Sequence, residues 1–116
     1  MIVRVWRAKI NPGRIEEYQR FEQERCMPML RNQPGLLGEL FLRQAEDQAA
    51  SLTIWEDAGV VEALQSSPSY RETAHELGES PLLARDQSVE VFEVEGGDLR
   101  PKTLVRALER TSSAGA

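Results

Sequence analysis

The stretch IWEDAGVVEALQSSPSYRETAHE, residues 54–76, decides the fold. It starts as the end of a strand and reaches Asp57, a residue suited to an N-cap. Val60, Val61 and Leu64 then follow at helical spacing. Ser67-Pro68 interrupts this helix and restarts it, because serine caps a helix and proline fits its first position. The same stretch holds Trp55, Tyr70 and His75, the last being the only histidine of the chain. These three are either a reacting group or packing residues with a polar neighbour.

Upstream, Val3 and Val5 alternate with Arg4 and Trp6, so Ile2 to Ile10 reads as a strand. Asn11-Pro12-Gly13 breaks it. From Arg14 to about Arg31 the spacing predicts a helix with Ile15, Tyr18, Phe21 and Arg25 on one face. Glu16, Glu17, Gln19, Glu22 and Gln23 fall mostly outside that face, and Pro28 is expected to kink or shorten the last turn. Gln33-Pro34-Gly35 stops the helix. A second strand is expected over Leu36–Arg43, a polar turn over Ala45–Ala50 and a third strand over Ser51–Glu56. Ser69–Leu77 is the restarted helix, and Ser88–Glu95 is a fourth strand.

Strand–helix–strand, given twice, predicts an α+β fold of ferredoxin-like type. Its βαββαβ order places a four-stranded antiparallel sheet under helices on one face. One domain is expected over residues 1–97, with a short helix (98–110) and a frayed tail, TSSAGA, in residues 98–116. On most strands both alternating sets contain large apolar residues, as with Val3 and Val5 against Ile2 and Trp6. A lone chain would leave one such face in water, so a homodimer packed sheet on sheet is expected.

With 116 residues, 41% hydrophobic and 28% charged, the chain has the material for one core and not two. The net charge of −5 argues against nucleic acid as the main partner. Residues 96–116 carry +2 and the first 95 carry −7. One cysteine, Cys26, gives neither an internal disulfide nor a metal cluster. No run approaches the roughly 20 apolar residues that span a bilayer, and MIVRVWRAKI lacks the form of a secretory leader. A cytoplasmic location without membrane contact is the expectation.

Several motifs carry a resemblance: PG after the first strand, PMLRNQPGLLG joining helix one to strand two, TIWED on strand three, and SSPSYRETAHE in helix two. Over about residues 1–95 the chain resembles the antibiotic-biosynthesis-monooxygenase-like domains of the dimeric α/β-barrel superfamily. That resemblance implies a dimeric α/β barrel and a range of activities, from cofactor-free oxygenation of aromatic polyketides to haem degradation. The Asn, Trp and His of the haem-degrading members fall on Trp6, Leu64 and Ala74, with His75 one residue beyond. The strand-three Trp of the polyketide monooxygenases matches Trp55, but their Asn and Tyr fall on Ser51 and Val61.

Each candidate residue has two readings. Tyr70, Ala74 and Leu77 recur as a buried stripe, so Tyr70 is a packing residue or a pocket donor. His75, on the flank of that stripe, is a surface residue or reaches a pocket. Trp6 and Trp55 are sheet core or pocket wall. Arg4 shares a face with Trp6 and needs an anion, either a substrate or Glu39, Glu90 or Glu93 on neighbouring strands. In the enzymatic reading, Trp6, Trp55 and Phe41 hold an aromatic compound, Arg4 or Arg43 stabilises its charge, and His75 or Tyr70 moves the proton. No cofactor or metal is expected. The alternatives are a non-catalytic small-ligand binder, or a self-associating protein whose pocket is filled by side chains.

Overall fold

In the computed structural model the backbone is described for residues 1–114, and side chains for all of these but 85, 86, 113 and 114. The elements run β1 (Ile2–Ile10), α1 (Ile15–Phe21), a π-helical turn (Glu22–Cys26), α2 (Met27–Arg31), β2 (Leu36–Ala45) and β3 (Gln48–Trp55). Then come α3 (Ala58–Leu64), α4 (Pro68–Glu79), β4 (Leu83–Glu93) and α5 (Pro101–Ala114). The strands form one sheet in the order β2-β3-β1-β4, with antiparallel neighbours throughout. This is the ferredoxin-like arrangement.

Alternation along each strand sorts the side chains between two faces. Ile2, Arg4, Trp6 and Ala8 of β1 pair across from Trp55, Thr53, Ser51 and Ala49 of β3 on the helix side, and Ile10 pairs with Leu83 of β4. Trp55 and Leu64 meet Ile2 and Leu30 in one cluster, while Ile10, Tyr18 and Ala49 make a second. The other face carries Val3, Val5, Leu52, Ile54 and Phe92, and no helix has extensive contacts there.

Both predicted caps are present. The Asp57 carboxylate accepts from Val60 N at 2.9 Å, and Ser67 Oγ accepts from Tyr70 N at 3.4 Å ahead of Pro68. Pro28 does not shorten the helix as expected. It stands in the first turn of α2, directly after the π-helical turn. The proline ring would strike the carbonyl four residues back in a regular helix, and a widened turn supplies room for it. The turn before β3 is also tighter than Ala45–Ala50. Only Glu46-Asp47 stand outside the strands, so β3 begins at Gln48. β4 starts at Leu83 rather than Ser88, across an irregularity between Ala8 and Ile10.

α5 was expected over residues 98–110 and lies three to four residues later. Thr111–Ala114, expected as frayed tail, continue the helix, while residues 115–116 lie outside the described residues. Leu104, Val105 and Leu108 are exposed on it. The radius of gyration, 14.5 Å, exceeds the roughly 13 Å of a compact domain this long.

Gly35 fixes the approach of α3 to the strand that follows α2. Its φ is 79°, and a Cβ there would stand 2.7 Å from Val60 Cγ1. Gly35→Ala is therefore expected to cost about 2–4 kcal/mol. Urea unfolding checks this, and a loss below about 0.5 kcal/mol would show that α3 simply moves away.

Candidate functional site

The two core clusters leave a gap between them, and the middle of β1 crosses it. Arg4 and Trp6 point into this gap, where a cavity of about 110 Å³ is lined by both helical layers and the sheet. Tyr18, Cys26, Met29 and Leu30 form the wall from the first helical layer. Phe41 and Ser51 close it along β2 and β3, and Tyr70, Thr73, Ala74 and Leu77 close it from α4. Gln87 of β4 stands at the edge, where its Oε1 accepts from Trp6 Nε1 at 3.2 Å.

The polar centre is Arg4. Its residue exposure is 9%, and its Nη2 donates to Tyr70 Oη at 2.9 Å. The guanidinium carbon also lies 5.8 Å from the Tyr70 ring centroid, within reach of a cation–π contact. Among the described residues no carboxylate lies within 4 Å of it. The three partners considered from the sequence are all elsewhere engaged or distant. Glu90 pairs with Arg7 on the opposite sheet face. Glu39 shares a row with Arg4, but Thr53 stands between them. Glu93 pairs across from Ile2 and is exposed. A buried guanidinium with one neutral partner retains unused donors and an uncompensated charge.

Four of the seven residues singled out in the sequence therefore meet at the cavity: Arg4, Trp6, Phe41 and Tyr70. The other three do not line it. Trp55 is fully enclosed in the core, its Nε1 donating to Thr53 Oγ1 at 2.8 Å. Arg43 lies over the Tyr18 ring, 5.6 Å from its centroid, and donates to the Glu46 carbonyl at 3.0 Å. His75 is exposed. The inward residue of α4 is Thr73, flanked by Tyr70 and Leu77, and His75 stands two positions on, about 200° round the helix.

The first helical layer supplies wall residues that sequence reasoning passed over. Glu22, expected outside the apolar face, is buried at 7% exposure. It follows Tyr18 by four positions and precedes Cys26 by four, so the three share a stripe. An acidic residue at a core position gave no apolar signal. Burial, then the nearby Glu22 charge, pushes the Tyr18 phenol well above its ordinary value. The same two causes, in the same order, push the Cys26 thiol up to about 12. Both therefore keep their protons at neutral pH. Burial also raises the Glu22 and Glu39 carboxyls, each of which has one buried oxygen without a hydrogen-bond partner.

These features define a ferredoxin-like α+β protein with a cavity between sheet and helices. The sequence matches the family of antibiotic biosynthesis monooxygenases over residues 1–76, and the chain belongs to that family. Among curated proteins none matches it. Solved structures with the same fold include an NE2512 protein of unknown function from Nitrosomonas europaea, with a TM-score of 0.71 and 14% identity. That alignment covers 84% of this chain and 92% of the other. SnoaB, a cofactor-independent oxygenase from Streptomyces nogalater, gives 0.70 at 17% identity, over 83% of this chain and 94% of the other. Rv0793 from Mycobacterium tuberculosis gives 0.69 at 16%, over 83% and 96%. At such identities the likeness concerns the fold.

The raised Glu22 carboxyl has a consequence for stability. Between its ordinary value of 4.5 and the raised one, the folded chain holds a proton that the unfolded chain has released. Stability conferred by that proton is present below pH 4.5 and is lost as pH rises through the folded value. Glu22→Gln is expected to be more stable than the parent at pH 7, with the advantage shrinking below pH 4.5. Urea unfolding at both pH values checks it, and an equal offset at the two would contradict the assignment.

Proposed function

We propose that the protein is a cofactor-independent oxygenase acting on a small, electron-rich aromatic or enol compound. The observation that carries this reading is Arg4, a buried cation in a mostly apolar cavity, with no carboxylate within 4 Å of it among the described residues. Trp6 and Phe41 offer faces against which a flat ring can lie. Arg4 and Tyr70 offer donors for an oxygen carrying negative charge.

The chemistry needs dioxygen as its sole co-reactant. A bound phenolate gives one electron to dioxygen, forming a substrate radical and superoxide. The two combine through a new carbon–oxygen bond, and protonation gives a hydroperoxide. Loss of the C–H proton from that carbon with cleavage of the O–O bond leaves a quinone and releases hydroxide, which becomes water. One oxygen atom stays in the product and the other leaves as water, so no external reductant enters. The protein's part is to hold the ring, exclude water and stabilise the anion as charge moves.

A second reading, a non-catalytic binder of the same ligand, draws on the protonated state of Tyr18 and Cys26 in the cavity wall. Oxygen uptake separates the two. For an oxygenase, the electron-rich enol or aromatic substrate should be consumed with equimolar dioxygen, and Trp6→Ala or Arg4→Gln should each lower turnover by roughly tenfold or more. His75→Ala, outside the cavity, should leave turnover unchanged. Ligand binding without oxygen uptake would favour the binder.

The bare sheet face supports a homodimer. Leu37, Leu42 and Phe92 are exposed, at 53%, 43% and 48%, around half-buried Val3, Val5, Leu52 and Ile54. Sedimentation is expected to give a particle of twice 13.1 kDa, and Val5→Asp is expected to give the single chain. A parent protein sedimenting as one chain would end this proposal.

A further inference from the structure

The oxygenase reading leaves open how the substrate becomes an anion. Deprotonation inside the cavity needs a base on its wall, and the wall can be searched residue by residue. Charged or titratable groups on the elements packed around Arg4 include Glu39 and Arg43 on β2, Glu90 and Glu93 on β4, Tyr18, Glu22, Cys26 and Arg31 on the first helical layer, and Tyr70, Arg71, Glu72, His75 and Glu76 on α4. Only Tyr18, Cys26 and Tyr70 of these line the cavity. Tyr18 and Cys26 hold their protons at neutral pH. The Tyr70 oxygen accepts from the Arg4 cation, and its O–H can donate to a ligand oxygen. His75 is on the far side of α4, and Glu22 and Glu39 lie outside the lining. Among the described residues the cavity thus offers a fixed positive charge and no proton acceptor.

Size adds a second restriction. A dry hollow of roughly 150 Å³ accepts benzene, and this cavity is about 110 Å³. The space is about the size of one ring and opens to the surface, so a ring seated beside Arg4 can carry substituents outward past Gln87.

We propose that the cavity selects a single-ring compound that arrives already ionised, an acidic enol or vinylogous acid, with its anionic oxygen on Arg4 and Tyr70. A neutral phenol, which would have to lose its proton inside, is discriminated against. The inference rests on the cavity being the ligand site. It does not require turnover.

Calorimetric titration of the full chain with two probes tests it. Cyclohexane-1,3-dione ionises on its own, and 3-methoxycyclohex-2-enone is its neutral enol ether of similar shape. At pH 7 the dione should bind at least tenfold more tightly than the ether. That preference should fade as pH falls below the dione's own pKa, and Arg4→Gln should remove it. Should Arg4→Gln fail to fold, the pH series on the unaltered chain decides. Equal binding of the two probes, binding of neither, or a preference that survives Arg4→Gln would overturn the proposal. Dione binding without oxygen uptake from any acidic enol would instead remove the oxygenase reading and leave this ligand class standing.

Discussion

The constraint on which the structure depends is the two-residue alternation of β1, held between β3 and β4. A central strand cannot slip by one residue without turning its entire apolar set to the wrong face. Ile2 and Ile10 anchor opposite ends of the helix side in separate clusters. Everything between them is then fixed in direction, including Arg4 and Trp6. The cavity is what remains where the anchors end and the intervening side chains do not fill the space.

Polar groups near this gap divide into two kinds. The Trp55 indole donates to Thr53 Oγ1, and the Thr53 hydroxyl donates to the Arg4 carbonyl at 3.3 Å, so that buried row is closed on itself. A closed row adds rigidity and offers nothing to a ligand. The Arg4 side chain, by contrast, has a single neutral partner. Burying a guanidinium against one neutral partner is unfavourable unless solvent or a ligand reaches its remaining donors. Strain of this kind tends to collect at functional sites. The π-helical turn on the facing wall is a second such departure, and it brings Glu22 and Cys26 to the back of that wall.

The fold was legible because its signals are periodic. Four strands, the Asp57 and Ser67 caps and the Gly35 stop each rest on a local rule, and tertiary structure only moved their limits. β3 and β4 grew toward their N-terminal ends because pairing with β1 extends a strand past its apolar run. The site was legible in part. Arg4 and Trp6 followed from alternation on β1, and Phe41 and Tyr70 from apolar spacing. His75 drew notice as the only histidine, yet rarity carries no direction, and one angle around α4 places it outside. Trp55 was marked by its likeness to a family residue, but in this chain the core encloses it fully. Tyr18 was read on the apolar face but not as cavity wall, while Glu22 and Cys26 were hidden because a stripe with an acid in its middle does not read as a face.

The two faces of the sheet divide the molecule's tasks with little overlap. Odd-numbered β1 residues, Val3 and Val5, face the side proposed for association, and even-numbered ones, Arg4 and Trp6, face the cavity proposed for a ligand. Pairing of the bare faces therefore need not intrude on the cavity, while it stiffens the strand that carries both sets. α5 adds a further surface without a partner in the single chain. Its exposed Leu104, Val105 and Leu108 stand among Arg100, Lys102, Arg106 and Arg110, and the first 95 residues are acidic. So short a helix is marginal in water by itself, so it gains its stability from whatever acidic, apolar surface it meets. The proposed homodimer would offer this basic, apolar helix a second acidic domain to meet.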